Sequence, residues 1–144
     1  MSTQNYANHR QFVPLFHIVL FALLFLTLIG SCVNLYESWG DHQRLYSATL
    51  IVVLSLCGLL MFAFIRIFPL KAQDRAIRAE ENLRYFAMTG KLFDPRLRIG
   101  QIVALRFASD GEFVALAQRA AQESLSPKDI KQAVKQWRAD TYRV

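Results

Sequence analysis

The chain has 144 residues, 53% of them hydrophobic and 19% charged, with a formal net charge of +6. That length has room for one compact domain at most. The apolar residues are gathered into runs rather than spread along the chain, which excludes an ordinary soluble domain as its class.

Between Arg10 and Glu37, and again between Arg44 and Arg66, there is no Asp, Glu, Lys or Arg. Each run is rich in Leu, Ile, Val and Phe. Each also meets the roughly 20 residues that a helix needs to cross a hydrocarbon core about 30 Å thick. Two such runs in succession predict a transmembrane hairpin over residues 12–70, behind a short tail, 1–11. Ile29-Gly30-Ser31-Cys32 resembles a lipoprotein cleavage box. The apolar stretch from Phe12 is longer than the core of a cleavable signal, however, and reads better as an anchor. Cys32 and Cys57 lie at different depths. A disulfide, which needs Cα atoms within about 7 Å, is therefore not expected, and both read as small packing residues.

The segment joining the runs holds Arg44 against Glu37 and Asp41, whereas Arg10 precedes the first run and Arg66, Lys71, Arg75 and Arg78 follow the second. Basic residues stay on the cytoplasmic side, so both termini are expected there and the short loop outside. Tyr36, Trp39 and Tyr46 mark the outer interface, where amphipathic rings prefer to sit. Arg66 is expected to reach the headgroups while its stem stays in lipid. His17 falls inside the first run near its cytoplasmic end, and an ionisable group there is a functional candidate. A haem or metal site needs a second ligand at that depth, and the second run offers none. His17 therefore reads as an interfacial residue hydrogen-bonded near headgroups. Of the other histidines, His9 lies in the tail and His42 across the membrane. Asn34, Glu37, Ser47 and Thr49 form an outer polar group, either a small site or a set of helix–helix hydrogen bonds.

Pro69 is expected to kink or break the second helix. Beyond it, residues 71–144 hold fourteen Lys and Arg against nine Asp and Glu, five of the six net positive charges. Acidic residues interrupt every basic run, so anionic lipid suits this surface and nucleic acid does not. A stalk helix carries Ala72, Ala76, Ala79, Leu83 and Phe86 at alternating spacings of four and three, a face suited to close approach of another helix. Asp74, Arg75, Arg78 and Glu81 lie on its polar side, and Gly90 is placed to end it. Asp94-Pro95 reads as the start of a helix bearing Ile99, Ile102, Val103 and Phe107. Ser109 and Glu112 make a capping box for the next, whose stripe is Phe113, Leu116, Ala117, Ala120 and Ala121. Ser126-Pro127 and Asp129 open a last helix with Ile130, Ala133, Val134 and Trp137 on one face. Trp137 is expected to be buried, either in the tail's own core or in a partner interface. No strand pattern occurs. The fold class is therefore all-α: a transmembrane hairpin, a stalk helix and three short cytoplasmic helices.

With these elements placed, several segments resemble one family. They are Gln4-Asn5-Tyr6-Ala7-Asn8-His9, Gln73 to Arg78, Leu83 to Phe86 and Thr89-Gly90-Lys91. Gly100 to Asp110, Leu125 to Lys131, Trp137 to Asp140 and Arg143-Val144 continue the likeness. It is a family of bacterial two-helix membrane proteins of unknown function. The resemblance covers nearly the whole chain. It implies a bacterial inner-membrane protein of the topology above and no activity, cofactor or catalytic residue.

The residues themselves present no acid–base pair in a cleft and no nucleophile beside a base, so an enzyme is not expected, and no cofactor or metal ligand set is assigned. The role expected is a membrane-anchored interaction protein, a subunit or scaffold. Ala72, Ala76, Ala79 and Trp137 would be its packing residues, and its partners would be lipid, other membrane subunits or further copies of itself. The alternative is an anion- or lipid-responsive regulator or transport accessory. A contiguous apolar face on the tail favours the first; a basic concave pocket favours the second.

Overall fold

The computed structural model describes residues 4–9 and 11–140. Arg10, Arg143 and Val144, used above for charge and motif, lie outside the described residues. The fold is all-helical. A π-helical turn, Leu15–Leu20, runs into α1, Phe21–Glu37; α2 is His42–Thr89, α3 Ile99–Leu105, α4 Asp110–Gln122 and α5 Pro127–Ala133. The chain divides into two compact units, Phe12–Phe68 and a second made of Met1–Gln11 with Pro69–Val144.

The first unit is the hairpin. Leu15–Glu37 and the start of α2 are both long and apolar enough to cross a membrane. Leu15, Leu26, Leu54 and Phe68 are each exposed by more than 60%, so the outer surface of the hairpin is itself apolar. Its contact line is built from small residues instead. Ser31 on α1, Ser38 just past its end, and Ala48 and Ser55 on α2 are buried. Leu24 lies so close to Gly58 that a Cβ there would be 3.1 Å from its Cδ2. Near the other end Phe16 stacks on Phe62 at 4.5 Å. Small side chains let two helices approach, which is what association in lipid rests on. Cys32 and Cys57 are free and exposed rather than packed. Of the outer polar group, Ser47 and Thr49 bond within their own helix, Ser47 donating to the Arg44 carbonyl and Thr49 to the Leu45 carbonyl.

Pro69 does not break the helix. α2 runs through it for 48 residues, so the second apolar helix and the stalk are one element. A proline forfeits one backbone hydrogen bond, and the rest of so long a helix tolerates that single loss.

In the second unit α3, α4 and α5 pack around Leu105, Phe107, Phe113 and Ile130, all fully buried. Gly90, at φ +69°, ends α2 as expected. Asp94-Pro95 does not open a helix. The Asp94 side chain accepts the Arg96 N–H and its carbonyl accepts the Leu97 N–H, closing a turn. The Arg96 side chain bonded to it holds the exposed Asp94 carboxyl down to about 2. α3 starts instead at Ile99. Buried Gln101 accepts the Arg98 N–H at 2.7 Å and donates to the Leu125 carbonyl at 2.8 Å. The buried stripe of α4 is the one expected. α5 stops at Ala133, because Val134 turns to extended backbone with ψ 120°. Trp137 therefore lies beyond the helix, in an isolated antiparallel bridge with Ala108.

Candidate functional site

The face that α2 turns towards α3–α5 carries Ile77, Glu81 and Tyr85, all buried. Their spacing of four residues puts them on one side of the helix. Glu81, expected on the polar face, is thus inside. It is held by Arg84, whose Nη1 is 2.9 Å from its Oε2, and by Arg138 at 3.6 Å. Arg84 uses all three of its nitrogens. Nε donates to Asp110 at 2.9 Å, Nη1 to Glu81, and Nη2 to Asp110 and to the Ala108 carbonyl. Its guanidinium also lies 4.1 Å from the centre of the Phe113 ring. This planar fork is suited to bridging several acceptors at once. The bond from Arg84 holds the Asp110 carboxyl below its ordinary value.

The N-terminal segment closes on the same unit. The Gln4 amide bonds the Asp140 backbone in both senses, accepting its N–H at 2.7 Å and donating to its carbonyl at 3.3 Å. His9 Nε2 is 3.2 Å from Lys131 Nζ, and its Nδ1 is 2.6 Å from the Tyr6 carbonyl. A lysine ammonium only donates. Nε2 therefore accepts and the proton sits on Nδ1. The ring lies against Phe107 at 5.9 Å and Trp137 at 6.0 Å, and those two meet at 4.9 Å. Behind them the extended segment after α5 is tied down. Arg138 donates its N–H to the Phe107 carbonyl, Ser109 its own to Gln136, and Arg106 pairs with Asp140 at 2.9 Å. Glu112 does not close the expected capping box. Its carboxylate takes the backbone N–H groups of Lys135 and Gln136.

The model of a family described as a Family of unknown function (DUF6526) matches residues 1–144. The chain belongs to the DUF6526 family. No curated protein and no solved structure matches it. In this DUF6526 chain several of the segments that carried the resemblance meet: Gln4 to His9 form a clasp with Phe107, Lys131, Trp137 and Asp140, and Arg84 bonds Ala108 and Asp110.

The residues singled out from sequence fall in three places. Ala72, Ala76 and Ala79 are exposed on α2, in a row with Leu83 and Phe86, which are exposed by 68% and 49%. The row does not pack on the chain's own later helices. Trp137 is half-buried, packed against the chain's own core with part of its ring surface open. His17 and Arg66 are half-buried in the hairpin unit. His17 Nδ1 lies 2.9 Å from the Val13 carbonyl, and its ring stacks on Phe12 at 4.8 Å, a local arrangement with no second ligand in it. A cleft of about 310 Å³ lies beside α2, lined among others by Gln73, Glu81, Arg106, Arg138 and Asp140. Its two arginines face carboxylates on its own walls, so it is mixed in charge rather than basic. Among the described residues no group of His, Cys, Asp or Glu could hold a metal ion. The roles of Gln4, His9, Arg84 and Glu112 were missed in the sequence. Each acts across a long sequence separation, and only the motif-like runs around them gave a signal.

Proposed function

We propose that the protein is a non-enzymatic, membrane-anchored interaction module of the bacterial inner membrane, with the hairpin as anchor and the second unit docking a partner on the cytoplasmic side. The observation that carries this reading is the row Ala72, Ala76, Ala79, Leu83 and Phe86. It is an apolar face on the part of α2 outside the hairpin unit, left open while the opposite face is buried. Large apolar side chains exposed together in water mark interaction surfaces. The cleft argues against the anion-sensing alternative, because Arg106 and Arg138 already face Asp140 and Glu81.

The clasp supports the orientation. Gln4 and His9 precede the first apolar helix, whereas Phe107, Lys131, Trp137 and Asp140 follow the second. Groups in contact lie on one side of a bilayer, and this contact is what supports a shared side for both ends. The basic residues after the second apolar run favour the cytoplasm. In a background with Cys32→Ser and Cys57→Ser, a cysteine at exposed His42 should react with an impermeant thiol reagent in intact cells. One at exposed Lys128 should react only after permeabilisation. The reverse pattern would overturn the topology. A row at Leu83 and Phe86 that accepts Glu with no change in the size of the species extracted from native membranes in mild detergent would overturn the docking role.

A further inference from the structure

The open row on α2 has the spacing of a coiled-coil seam. Ala72, Ala76, Ala79, Leu83 and Phe86 alternate steps of four and three, the d, a, d, a, d positions of a heptad repeat. At about 100° per residue they share one stripe, and buried Ile77, Glu81 and Tyr85 fall on the opposite side of the helix. A helix laid along the row would therefore lie on the side of α2 away from those three residues, with Ala76 and Glu80 at its border also lining the cleft beside Arg106 and Arg138. In this register Arg75 is a g position and Glu80 the following e position. Both are exposed, and neither makes an ion pair or a side-chain hydrogen bond among the described residues.

We propose that this face pairs with the same face of a second copy as a short parallel two-stranded coiled coil, with Arg75 of each chain bonded to Glu80 of the other. The inference rests on the reading of the protein as a membrane-anchored interaction module and names its partner. Three observations lead to a second copy. In a parallel pair each g residue faces the e residue five positions on in its partner. The chain's own Arg75 and Glu80 have that spacing and opposite charge, so a two-fold axis forms the pair twice. The other g and e positions of the row, Gln73, Asn82 and Ala87, are uncharged, so the register brings no like charges together. Finally, copies anchored by the same hairpin present α2 in the same direction, which leaves the parallel arrangement as the one available. Two heptads are short for a coiled coil in water. Confinement to a membrane raises the effective concentration of the second helix and removes part of the orientational cost of association. The row begins with alanines beyond Pro69 and ends in Leu83 and Phe86, so the helices approach closely at one end and fill the wider gap with large side chains at the other.

The test uses the whole chain in native membranes, with Cys32→Ser and Cys57→Ser. A single Ala79→Cys places thiols on the seam, where mild oxidation should yield a disulfide-linked dimer. Arg78→Cys, exposed on α2 but off the seam, should yield none above background. Arg75→Glu and Glu80→Arg, each removing two symmetry-related surface pairs, should slow cross-linking at Ala79→Cys roughly five-fold. The two together should restore it, a rescue that a merely structural defect would not show. A photo-reactive residue in place of Leu83 separates the ways of failing. Adducts to a different protein would overturn self-pairing and keep the interaction reading. No adduct of any kind, with no disulfide at Ala79→Cys, would overturn both. Cross-linking that does not distinguish Ala79→Cys from Arg78→Cys, or a double charge swap that fails to restore the rate, overturns the parallel register.

Discussion

Arg84 and Glu81 form the most consequential pair in the second unit, with side chains only 13% and 8% exposed. Charges taken this far out of water persist because each is matched, and removing one leaves the other buried and uncompensated. Arg84→Met should therefore destabilise the second unit by about 3 kcal/mol, softened by the more distant Arg138, and Glu81→Leu added to it should recover part of the loss. Protease resistance against temperature in detergent measures both. Equal losses in the single and double variants would show that the guanidinium matters for Asp110 and Ala108 rather than for Glu81. Asp110 gives the pair a pH signature. Its carboxyl is held below 3.8 by the bond from Arg84. A depressed carboxylate contributes stability above its unfolded value and loses that contribution as pH falls through the folded one. The advantage of the wild type over Asp110→Asn should accordingly be full near neutrality and shrink on acidification below that value. An advantage that persisted undiminished in strong acid would mean that the Arg84–Asp110 bond is not its source.

At the scale of elements, local chemistry was legible where one residue decides the outcome. Gly90 ends α2 with φ +69°, a region where a side chain costs roughly 1–2 kcal/mol. Gly90→Ala should lower the unfolding free energy of the second unit by about that much, and no change would show that the chain reverses there without needing the left-handed residue. Ser126 and Asp129 close the capping box that their spacing announces, and Ser126→Ala should cost about 1 kcal/mol. Reading failed where a local signal met a distant competitor. Ser109 and Glu112 have the same box spacing, but two backbone N–H groups after α5 claim the Glu112 carboxylate. Asp94-Pro95 is equally suited to a helix start and to a turn, and the arginine two residues on decides for the turn by bonding both carboxylate oxygens. The seam of α2 was legible as a stripe, while its inward face was not. Ile77, Glu81 and Tyr85 include a carboxylate, and hydrophobic periodicity alone sends such a residue outward. Pro69 does not supply the break that was one of its two expected effects, for a related reason. Its local cost is real, but it competes with the cooperativity of a helix 48 residues long.

At the scale of the whole molecule, the two apolar runs were visible in the absence of charge, whereas the clasp between the chain's two ends was not. Gln4 and Asp140 are 136 positions apart, and no periodicity links a polar tail to an irregular segment near the other end of the chain. The parity of the spans makes that contact informative: an even number of crossings returns the chain to its starting side, and an odd number would keep these residues apart. A cysteine at Gln4 and another at Asp140, in the chain with Cys32→Ser and Cys57→Ser, should therefore be joined within one chain by a short bismaleimide in intact membranes. Lys131→Ala and His9→Ala should lower that yield, because they remove the hydrogen bond and the ring packing that hold the segment against Phe107 and Trp137. They should leave the core of α3, α4 and α5 folded, since the cluster that holds Leu105, Phe113 and Ile130 includes no described residue of the tail. If the link formed only after the membranes were dissolved, the two ends would lie on opposite faces, and the hairpin itself, not merely its orientation, would have to be given up.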